Sequence, residues 1–421
     1  MITLPPVRRA RLALALVPAL AACDTQRTPP AELPLFSRVD SIATPAPMWA
    51  AEPNLAASPD GDVYLSWLER QPDSSYALKV ARREGATWAQ PAVVAAGREF
   101  FVNWADFPSV LALEDDRLAA HWLQRSGEGR YAYDVRVAQS ADGGRTWSAG
   151  VVPHRDGTQA EHGFVSMWPE NDGQVGITWL DGRKYARSDS GPQETMLMHT
   201  TIGRDMKLGQ ETPLDMRICD CCKTAVARAA DGPVIAYRDR TEDEIRDIYV
   251  VRQVGRVWTE PARVHADDWK IAACPVNGPA IAAHDRRVVV AWFTAAGDTA
   301  RVNLAFSDDG GATFGAPVRV DDGNPAGRVD VILVEDGAAV VSWVENLGDR
   351  AEVRVRRVRE GAERGGAREP AVTIAQSTAA RASGFPHMVA TKDEVVFAWT
   401  VPGATREDPS GIRLAAARLA R

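Results

Sequence analysis

The sequence predicts an all-β protein, a β-propeller of four-stranded antiparallel blades, and three observations support this prediction. First, an apolar run that ends in an aromatic residue recurs at intervals of 51 to 58 residues, at Trp67, Trp122, Trp179, Tyr237, Trp292, Trp343 and Trp399. Second, Asp/Gly turns such as residues 58–61 separate short strand-like runs, as they do in β-hairpins. Third, a fixed period of this size indicates repeated units that bury their apolar faces against neighbouring units. We therefore expect seven blades, with six as the alternative.

The N-terminus has the features of an export signal, which we place at residues 1–22. Arg8, Arg9 and Arg11 precede a short apolar run over residues 12–22, and eleven residues are too few to span a bilayer as a helix. The run ends in Leu-Ala-Ala-Cys23, which resembles the bacterial lipoprotein box. We expect lipidation of Cys23, which makes the lipid membrane a partner, whereas a plain secretory signal is the alternative.

The expected location is the periplasmic side of the bacterial cell envelope. An Asp that follows the lipidated Cys resembles an inner-membrane retention signal, and Asp24 occupies this position. Residues 23–34 are polar and rich in Pro and Thr, which indicates a flexible tether. The propeller is expected to occupy residues 35–421.

Each repeat divides into four strand-like runs, which in the first repeat are residues 54–57, 63–67, 76–82 and 91–94. The last repeat lacks a fourth run before the chain ends, whereas residues 35–42 form a strand-like run with no repeat of their own. Pairing these residues with the last repeat would close the ring and protect its sheet edges. We therefore expect the N-terminal strand to close the propeller.

Two passages fit the pattern Ser-x-Asp-x-Gly-x-Thr-aromatic, and their defining residues are Ser140, Asp142, Gly144 and Trp147, and Ser307, Asp309, Gly311 and Phe314. In such a hairpin the Asp caps turn amides, the Gly adopts a positive φ, and the aromatic residue packs between blades. With these motifs the chain resembles the sialidase superfamily with its Asp-box (BNR) repeats, over residues 35–421. The resemblance implies a propeller whose Asp boxes lie on the face opposite to the active site.

The charge of the chain argues against one class of partner. Its net charge is −7, with 25% charged residues and no basic cluster, so the sequence lacks the electrostatic signature of a nucleic-acid-binding protein. We expect no nucleic-acid partner and a monomeric protein.

Four of the five cysteines fall in two loops of neighbouring repeats. These residues are Cys219, Cys221, Cys222 and Cys274. In an exported protein, disulfides that pin the two loops are the first interpretation, with a bond to Cys274 or a vicinal pair as the possible connections. A soft-metal site for Cu(I) or Zn(II) is the alternative, and no other cofactor is expected.

The charged and Cys-containing face of blades 3–5 is the expected binding face. It is formed by the loops between second and third strands and by the loops between blades, which are longer and richer in charge than the opposite turns. Ligand-binding candidates on this face are His162, Arg246, Asp247, Asn277 and His387. Catalytic candidates are Asp106, Asp181, Arg183, Arg238, Asp239, Arg240, Glu244 and Arg328.

The resemblance to sialidases implies three arginines that bind a substrate carboxylate, a Tyr nucleophile supported by Glu, and an Asp acid/base. Arg183, Arg238 or Arg240, and Arg328 would supply the arginines, and Asp106 the acid. Two features depart from the family pattern: the opening strands lack an Arg-Ile-Pro motif, and no Tyr follows Tyr249. The sequence therefore favours a module that binds a glycan or an envelope protein. A sialidase-like glycoside hydrolase is the alternative.

Overall fold

The computed structural model of the protein describes residues 1, 34–187, 194–361, 369–405 and 407–420. Nearly all of the predicted export signal and tether, with Cys23 and Asp24, lies outside the described residues. Among the helices of the described part of the chain, none has the length and apolar character needed to cross a membrane. Residues Leu35–Arg421 form one compact unit.

This unit is built from strands and short connections. The strands of the first half are β1 (Phe36–Ile42), β2 (Ala50–Ala57), β3 (Val63–Arg70), β4 (Tyr76–Glu84), β5 (Thr87–Trp88), β6 (Ala92–Gly97), β7 (Ser109–Ala112), β8 (Leu118–Arg125), β9 (Tyr133–Ser140), β10 (His162–Pro169), β11 (Val175–Asp181), β12 (Thr195–Ile202) and β13 (Thr212–Ile218). Those of the second half are β14 (Ala225–Ala229), β15 (Gly232–Arg238), β16 (Ile248–Val254), β17 (Val257–Trp258), β18 (Ala262–Arg263), β19 (Ala280–His284), β20 (Arg287–Thr294), β21 (Arg301–Ser307), β22 (Val318–Arg319), β23 (Pro325–Leu333), β24 (Ala339–Asn346), β25 (Ala351–Val358), β26 (Val372–Ser377), β27 (His387–Ala390), β28 (Glu394–Val401) and β29 (Gly411–Leu419). One short helix, α1 (Arg183–Arg187), and 3-10 turns at Asn171–Gly173, Ala296–Asp298 and Arg381–Ser383 complete the described elements.

The strands form seven antiparallel sheets, and the predicted seven-bladed β-propeller is confirmed. Blade 1 is β2-β3-β4-β6, blade 3 is β10-β11-β12-β13, blade 4 is β14-β15-β16-β18, blade 5 is β19-β20-β21-β22 and blade 6 is β23-β24-β25-β26. In blade 2, β7-β8-β9 are three regular strands, and a single bridge from Val137 to Val151 marks the place of the fourth. The hairpin strands β5 and β17 extend β4 and β16 at their ends.

Closure of the ring occurs as predicted, since β1 is the outer strand of blade 7, in the order β1-β29-β28-β27. The register runs from Phe36 opposite Leu419 to Ile42 opposite Leu414. Every blade therefore has a neighbour on both sides, and both ends of the propeller chain are held in one sheet.

The apolar core consists of seven clusters, each packed between neighbouring blades. The recurring aromatic residues explain the period, because each lies buried near the end of a second strand. Trp67, Trp179 and Trp343 are fully buried, and each indole N–H donates to an acid two positions later in its own strand. A buried indole needs such a partner, so the acid after the tryptophan stabilises the blade.

The two Asp-containing hairpins have the same hydrogen-bond pattern. Asp142 accepts from the backbone N–H of Thr146 at 2.9 Å, and Asp309 accepts from Thr313 at 2.9 Å. Gly144 has a φ of +86°, and Trp147 packs against the cluster between blades 1 and 2. These hairpins lie at the turns between third and fourth strands, on the face opposite to the longer loops.

Candidate functional site

A cavity of about 630 Å3 opens on the face formed by the second-to-third connections and the between-blade connections. We call this face the loop face and the cavity the Glu161 pocket. Its lining residues come mostly from three sets of connections: those between successive blades from 1 to 5, those within blades 2 and 3, and the one between blades 6 and 7. They include Asn103, Trp104, Tyr131, Gln159, Glu161, Phe164, Tyr185, Asp220, Cys221, Cys274, Val276 and Arg381. A second cavity of about 270 Å3, which we call the axial cavity, is lined by the first strands and by residues just before them. Its lining residues include Asp106, Lys223, Asp330 and His387.

Tyr133 joins two carboxyl groups at the wall of the Glu161 pocket. Its hydroxyl lies 2.7 Å from Asp106 Oδ2 and 2.9 Å from Glu161 Oε1, and the Tyr133 side chain is fully buried. A phenol has one proton to donate, so a second proton on one carboxyl is needed for both contacts to be hydrogen bonds. Asp106 Oδ1 also accepts from the backbone N–H of Phe164 at 2.7 Å, which favours Glu161 as the protonated group.

The surroundings of this cluster raise the pKa of both carboxyl groups into the neutral range, with Glu161 above Asp106. Burial raises the pKa of Asp106 to about 7, although the hydrogen bonds from Tyr133 and Phe164 act in the opposite direction. Burial raises the pKa of Glu161 to about 8, and the charges of Asp106 and Asp220 add to the increase. Burial and the charges of Asp106 and Glu161 raise the pKa of Tyr133 well above its usual value, so the phenol stays protonated.

Asp181 and Arg183 are bound to each other. The guanidinium of Arg183 donates to both carboxylate oxygens of Asp181, at 2.7 and 2.6 Å, and to Glu211 at 3.0 Å. Asp181 also accepts from the indole of Trp179 at 2.8 Å. Both charges are therefore engaged in holding α1 against β11.

Arg238 and Arg328 hold connections of the loop face in place. Arg238 is 1% exposed and donates to the backbone carbonyls of Asn277, Arg246 and Phe293. Arg328 donates to the Ser383 hydroxyl at 2.6 Å and to the backbone carbonyls of residues 379, 380 and 384. Asn277 accepts the backbone N–H of Arg328 at 2.8 Å. The guanidinium groups of Arg238 and Arg328 thus donate mainly to the backbone. The pocket itself is lined by a different arginine, Arg381.

The charged second-to-third loop of blade 4 forms a connected ion-pair series. Arg240 pairs with Glu244 at 2.7 Å, Glu244 with Arg246 at 2.9 Å, and Arg246 with Asp220 at 3.2 Å. The series therefore reaches the pocket at Asp220, and Arg246 orients that carboxylate.

Asp239 and Asp247 lie at the two ends of the same loop. The backbone N–H of Asp239 donates to the Asp247 carbonyl at 2.9 Å, and burial raises the pKa of the Asp239 carboxyl to about 7. Asp247 accepts from the backbone N–H groups of Asp268 and Trp269, at 3.0 and 3.1 Å. Asp247 thereby fixes the connection between blades 4 and 5.

The two candidate histidines lie in different places. His387 lies in the axial cavity, where burial lowers the pKa of its imidazole to about 3 and the charge of Lys223 acts in the same direction. His162 is fully buried at the start of β10 and stacks on His154. The two histidines therefore do not share the Glu161 pocket.

The predicted disulfide between the two loops is confirmed as Cys221–Cys274. Cys219 and Cys222 are buried free thiols whose sulfur atoms are 3.0 Å apart, and Cys219 Sγ is 3.8 Å from Cys221 Sγ. Burial raises the pKa of the Cys219 thiol, but the hydrogen bond between the two thiols and the charge of Arg246 outweigh this effect and lower the pKa to about 7. The sulfur atoms of Cys219, Cys221 and Cys222 are close enough to form a candidate metal-binding group.

Sequence reasoning missed the residues that define the pocket. Of the predicted candidates, Asp106 is connected to the pocket wall by its hydrogen bond with Tyr133, and Cys221 and Cys274 line the pocket. The sequence pattern did not indicate Glu161, Tyr133, Tyr185 or Asp220 as site residues. Only their positions in the sequence could have indicated them. Glu161 directly precedes the candidate His162, and Tyr133 begins a third strand directly after a loop-face connection.

The fold and the site together define a seven-bladed β-propeller with an acidic, aromatic pocket on its loop face. No protein-family model matches the chain, and no curated protein matches it. A protein of unknown function from Dyadobacter fermentans has a similar structure, with a TM-score of 0.53 and 15% identity over 91% of this chain and 99% of that chain. This likeness shows the propeller fold.

Two solved enzymes match at lower TM-scores. A mutant of the NanB sialidase from Streptococcus pneumoniae matches with a TM-score of 0.48 and 9% identity, covering 85% of this chain and 83% of that chain. The α-L-arabinofuranosidase Arb93A from Fusarium graminearum matches with a TM-score of 0.45 and 14% identity, covering 88% of this chain and 92% of that chain.

Proposed function

We propose that the protein binds a glycan in the Glu161 pocket. The observation that carries this proposal is the convergence, in a cavity of about 630 Å3, of aromatic side chains with amide and carboxyl groups. Small-molecule sites have volumes of this order and combine apolar walls with a few polar groups. A sugar ring presents the same combination, since its C–H face is apolar and its hydroxyls donate and accept hydrogen bonds.

Tyr131 is the aromatic side chain best placed to meet such a ring. It is 47% exposed and stands at the pocket with its edge against Phe101. Asn103 and Gln159 supply amide groups at the same pocket. Because Glu161 is protonated near neutral pH and Asp220 is paired with Arg246, the pocket is less anionic than its acids suggest. This favours a hydroxyl-rich ligand over a cation.

The test is glycan-array screening of the purified protein, followed by calorimetry with the glycans it retains. Tyr131→Ala should weaken binding about 3- to 10-fold, since aromatic contacts are worth about 0.5–1.5 kcal/mol. Val257→Ala is the matched control, because Val257 is 71% exposed on the β16–β17 hairpin, away from the pocket. An array without any retained glycan, or equal affinities for the wild type and Tyr131→Ala, would contradict the proposal.

Hydrolysis of a glycoside is the second candidate, and one observation favours it. Glu161 carries a proton near neutral pH and shares the pocket with Asp220, and glycosidases use such a pair of carboxyl groups. Glu161 would be the general acid and Asp220 the second carboxylate. Tyr133 would position Glu161, because its raised pKa and complete burial make it a poor nucleophile.

Aryl glycosides and sialosides distinguish the two candidates. Turnover that Glu161→Gln abolishes, while Asp239→Asn retains it, would establish the enzyme. If all substrates remain intact while glycans are still retained on the array, the protein binds without catalysis.

A lipid anchor at Cys23 completes the proposed function by holding the pocket in the cell envelope. Its support is the Leu-Ala-Ala-Cys23 sequence behind a basic and apolar leader. Labelling with an alkyne fatty acid should modify the wild type and not Cys23→Ser, and the variant should leave the membrane fraction. Equal labelling of both chains would refute the anchor. An Asp24→Ser variant that changes membrane would identify Asp24 as the sorting residue.

A further inference from the structure

Two stacked histidines lie buried beside the wall of the Glu161 pocket. The rings of His154 and His162 are 3.7 Å apart and parallel within 7°. His154 belongs to the connection between blades 2 and 3 and is 7% exposed, whereas His162 opens β10 and is 0% exposed. The described contacts of Glu161 and Tyr133 involve neither imidazole ring as a partner of their carboxyl or hydroxyl.

Carboxylates face both edges of the stacked pair. At one edge, Asp156 Oδ1 lies 3.2 Å from His154 Nδ1 and 3.2 Å from His162 Nε2. At the other edge, Asp134 Oδ1 lies 3.7 Å from His154 Nε2 and 3.8 Å from His162 Nδ1. These last three atoms lie within 4.8 Å of one another.

His154 Nε2 is the observation that points to a ligand. Among the described residues it is a buried nitrogen without a hydrogen-bond partner, and it is directed toward Asp134. An unsatisfied buried polar atom costs about 1–3 kcal/mol, so such an atom in a polar cluster calls for a partner. An unprotonated imidazole nitrogen is the most common metal ligand in proteins.

The charge around the pair has the sign that a cation would balance. Asp134, Asp156 and Asp181 surround the two rings, and Arg183 is already engaged by Asp181 and Glu211. A divalent ion at the Asp134 edge would offset this excess of negative charge.

We propose that His154 Nε2, His162 Nδ1 and Asp134 Oδ1 bind a divalent transition-metal ion, with Zn(II) the ion that two imidazoles and one carboxylate suit best. Asp156 supports both rings, since its Oδ1 accepts from His154 Nδ1 and lies 3.2 Å from His162 Nε2, and such a carboxylate is the usual support for metal-bound histidines. In the structure the two rings are parallel and His162 Nδ1 lies 3.4 Å from the backbone carbonyl of Tyr133. Binding therefore requires both rings to turn until their lone pairs point at the ion. The side chain of Asp134 is 21% exposed and gives the ion its path from solvent.

The ion would fix the long connection between blades 2 and 3. His154 lies near the start of this connection and His162 at its end, and Gln159 and Glu161 between them line the pocket. A metal there would therefore join the pocket wall to β9 through Asp134.

The test uses the full chain after chelator treatment and dialysis. Titration with Zn(II) in a calorimeter should show one ion bound per chain, and the melting temperature should rise with the metal. His154→Gln and Asp134→Asn should each lose this stoichiometric binding, whereas Asp156→Asn should weaken it about 10- to 100-fold. Asp134→Asn keeps the shape of a partly exposed side chain, so it separates loss of the site from loss of folding.

Two controls separate this site from others. His265→Gln removes a histidine that is hydrogen-bonded to Asp267 outside the cluster, and it should leave Zn(II) binding unchanged. Titration with Co(II) should give d–d absorption without a thiolate charge-transfer band, which excludes the sulfur atoms of Cys219 and Cys222 as ligands. Absence of binding to the wild type, a thiolate band, or unchanged binding to both Asp134→Asn and His154→Gln would overturn the proposal.

Discussion

Replacement of Asp106 by Asn tests the electrostatics of the Glu161 pocket. Asp106 is 2% exposed, and burial raises the pKa of its carboxyl from 3.8 to about 7. Because this pKa is raised on folding, the folded state binds the proton more tightly than the unfolded chain. Stability is therefore highest at low pH and falls as the pH rises from about 4 through about 7.

The expected change in the free energy of unfolding follows from the pKa shift of Asp106. A difference of about three pKa units corresponds to about 4 kcal/mol when fully expressed, and about 2.5 kcal/mol of this falls between pH 5 and pH 8. Asp106→Asn removes the titration while its side-chain oxygen still accepts from Phe164. Relative to the wild type, the variant should become more stable by about 2.5 kcal/mol on going from pH 5 to pH 8.

Urea unfolding of both chains at the two pH values measures this difference. The comparison uses the change in the variant-to-wild-type difference, so a constant cost of the amide cancels. Asp60→Asn in the exposed turn between β2 and β3 is the control and should show no such change. If the difference for Asp106→Asn is the same at pH 5 and pH 8, the carboxyl does not titrate in this range and the reasoning about the pocket fails.

Three further predictions concern the structure around the pocket. Arg238→Met should destabilise the protein by at least about 3 kcal/mol in urea unfolding, because three backbone carbonyls lose their buried donor; a loss below 1 kcal/mol would contradict this. Gly163→Ala should also destabilise the fold, by about 1–3 kcal/mol, since the added Cβ would lie 2.0 Å from Asp106 Oδ2. An unchanged unfolding midpoint would contradict this, because it would mean that Asp106 moves away from the methyl group at no cost. Cys274→Ser should cost up to about 4 kcal/mol, because the bond to Cys221 closes a span of 53 residues; a wild type whose midpoint is insensitive to reductant would refute this.

The sequence was sufficient for the architecture because the repeated signal reports burial. In nearly every repeat a tryptophan near the end of the second strand packs between blades, so the spacing of these residues counts the blades directly. The unpaired run at residues 35–42 predicted closure for a similar reason, since an edge strand without a partner is unfavourable.

The site was harder to predict because residues from different blades that meet at the pocket have no regular spacing in the sequence. Arg238 ends the second strand β15 and Arg328 lies in the first strand β23, and the donors of both are taken up mainly by backbone carbonyls. Charge alone did not separate these structural arginines from binding residues. Tyr133 and Glu161 lie 28 positions apart, and their contact depends on how blades 2 and 3 pack.

The pairing of β1 with β29 has a consequence for biosynthesis. The hydroxyl of Ser37 donates to the carbonyl of Arg418, a partner 381 positions away, so the first strand made must wait for the last. Contacts between such distant segments form slowly, and a waiting strand is exposed to wrong partners. The solvent-facing charges of Arg38 and Asp40 discourage association between newly made chains during that interval. Blade 7 can therefore be completed only after β29 has been made.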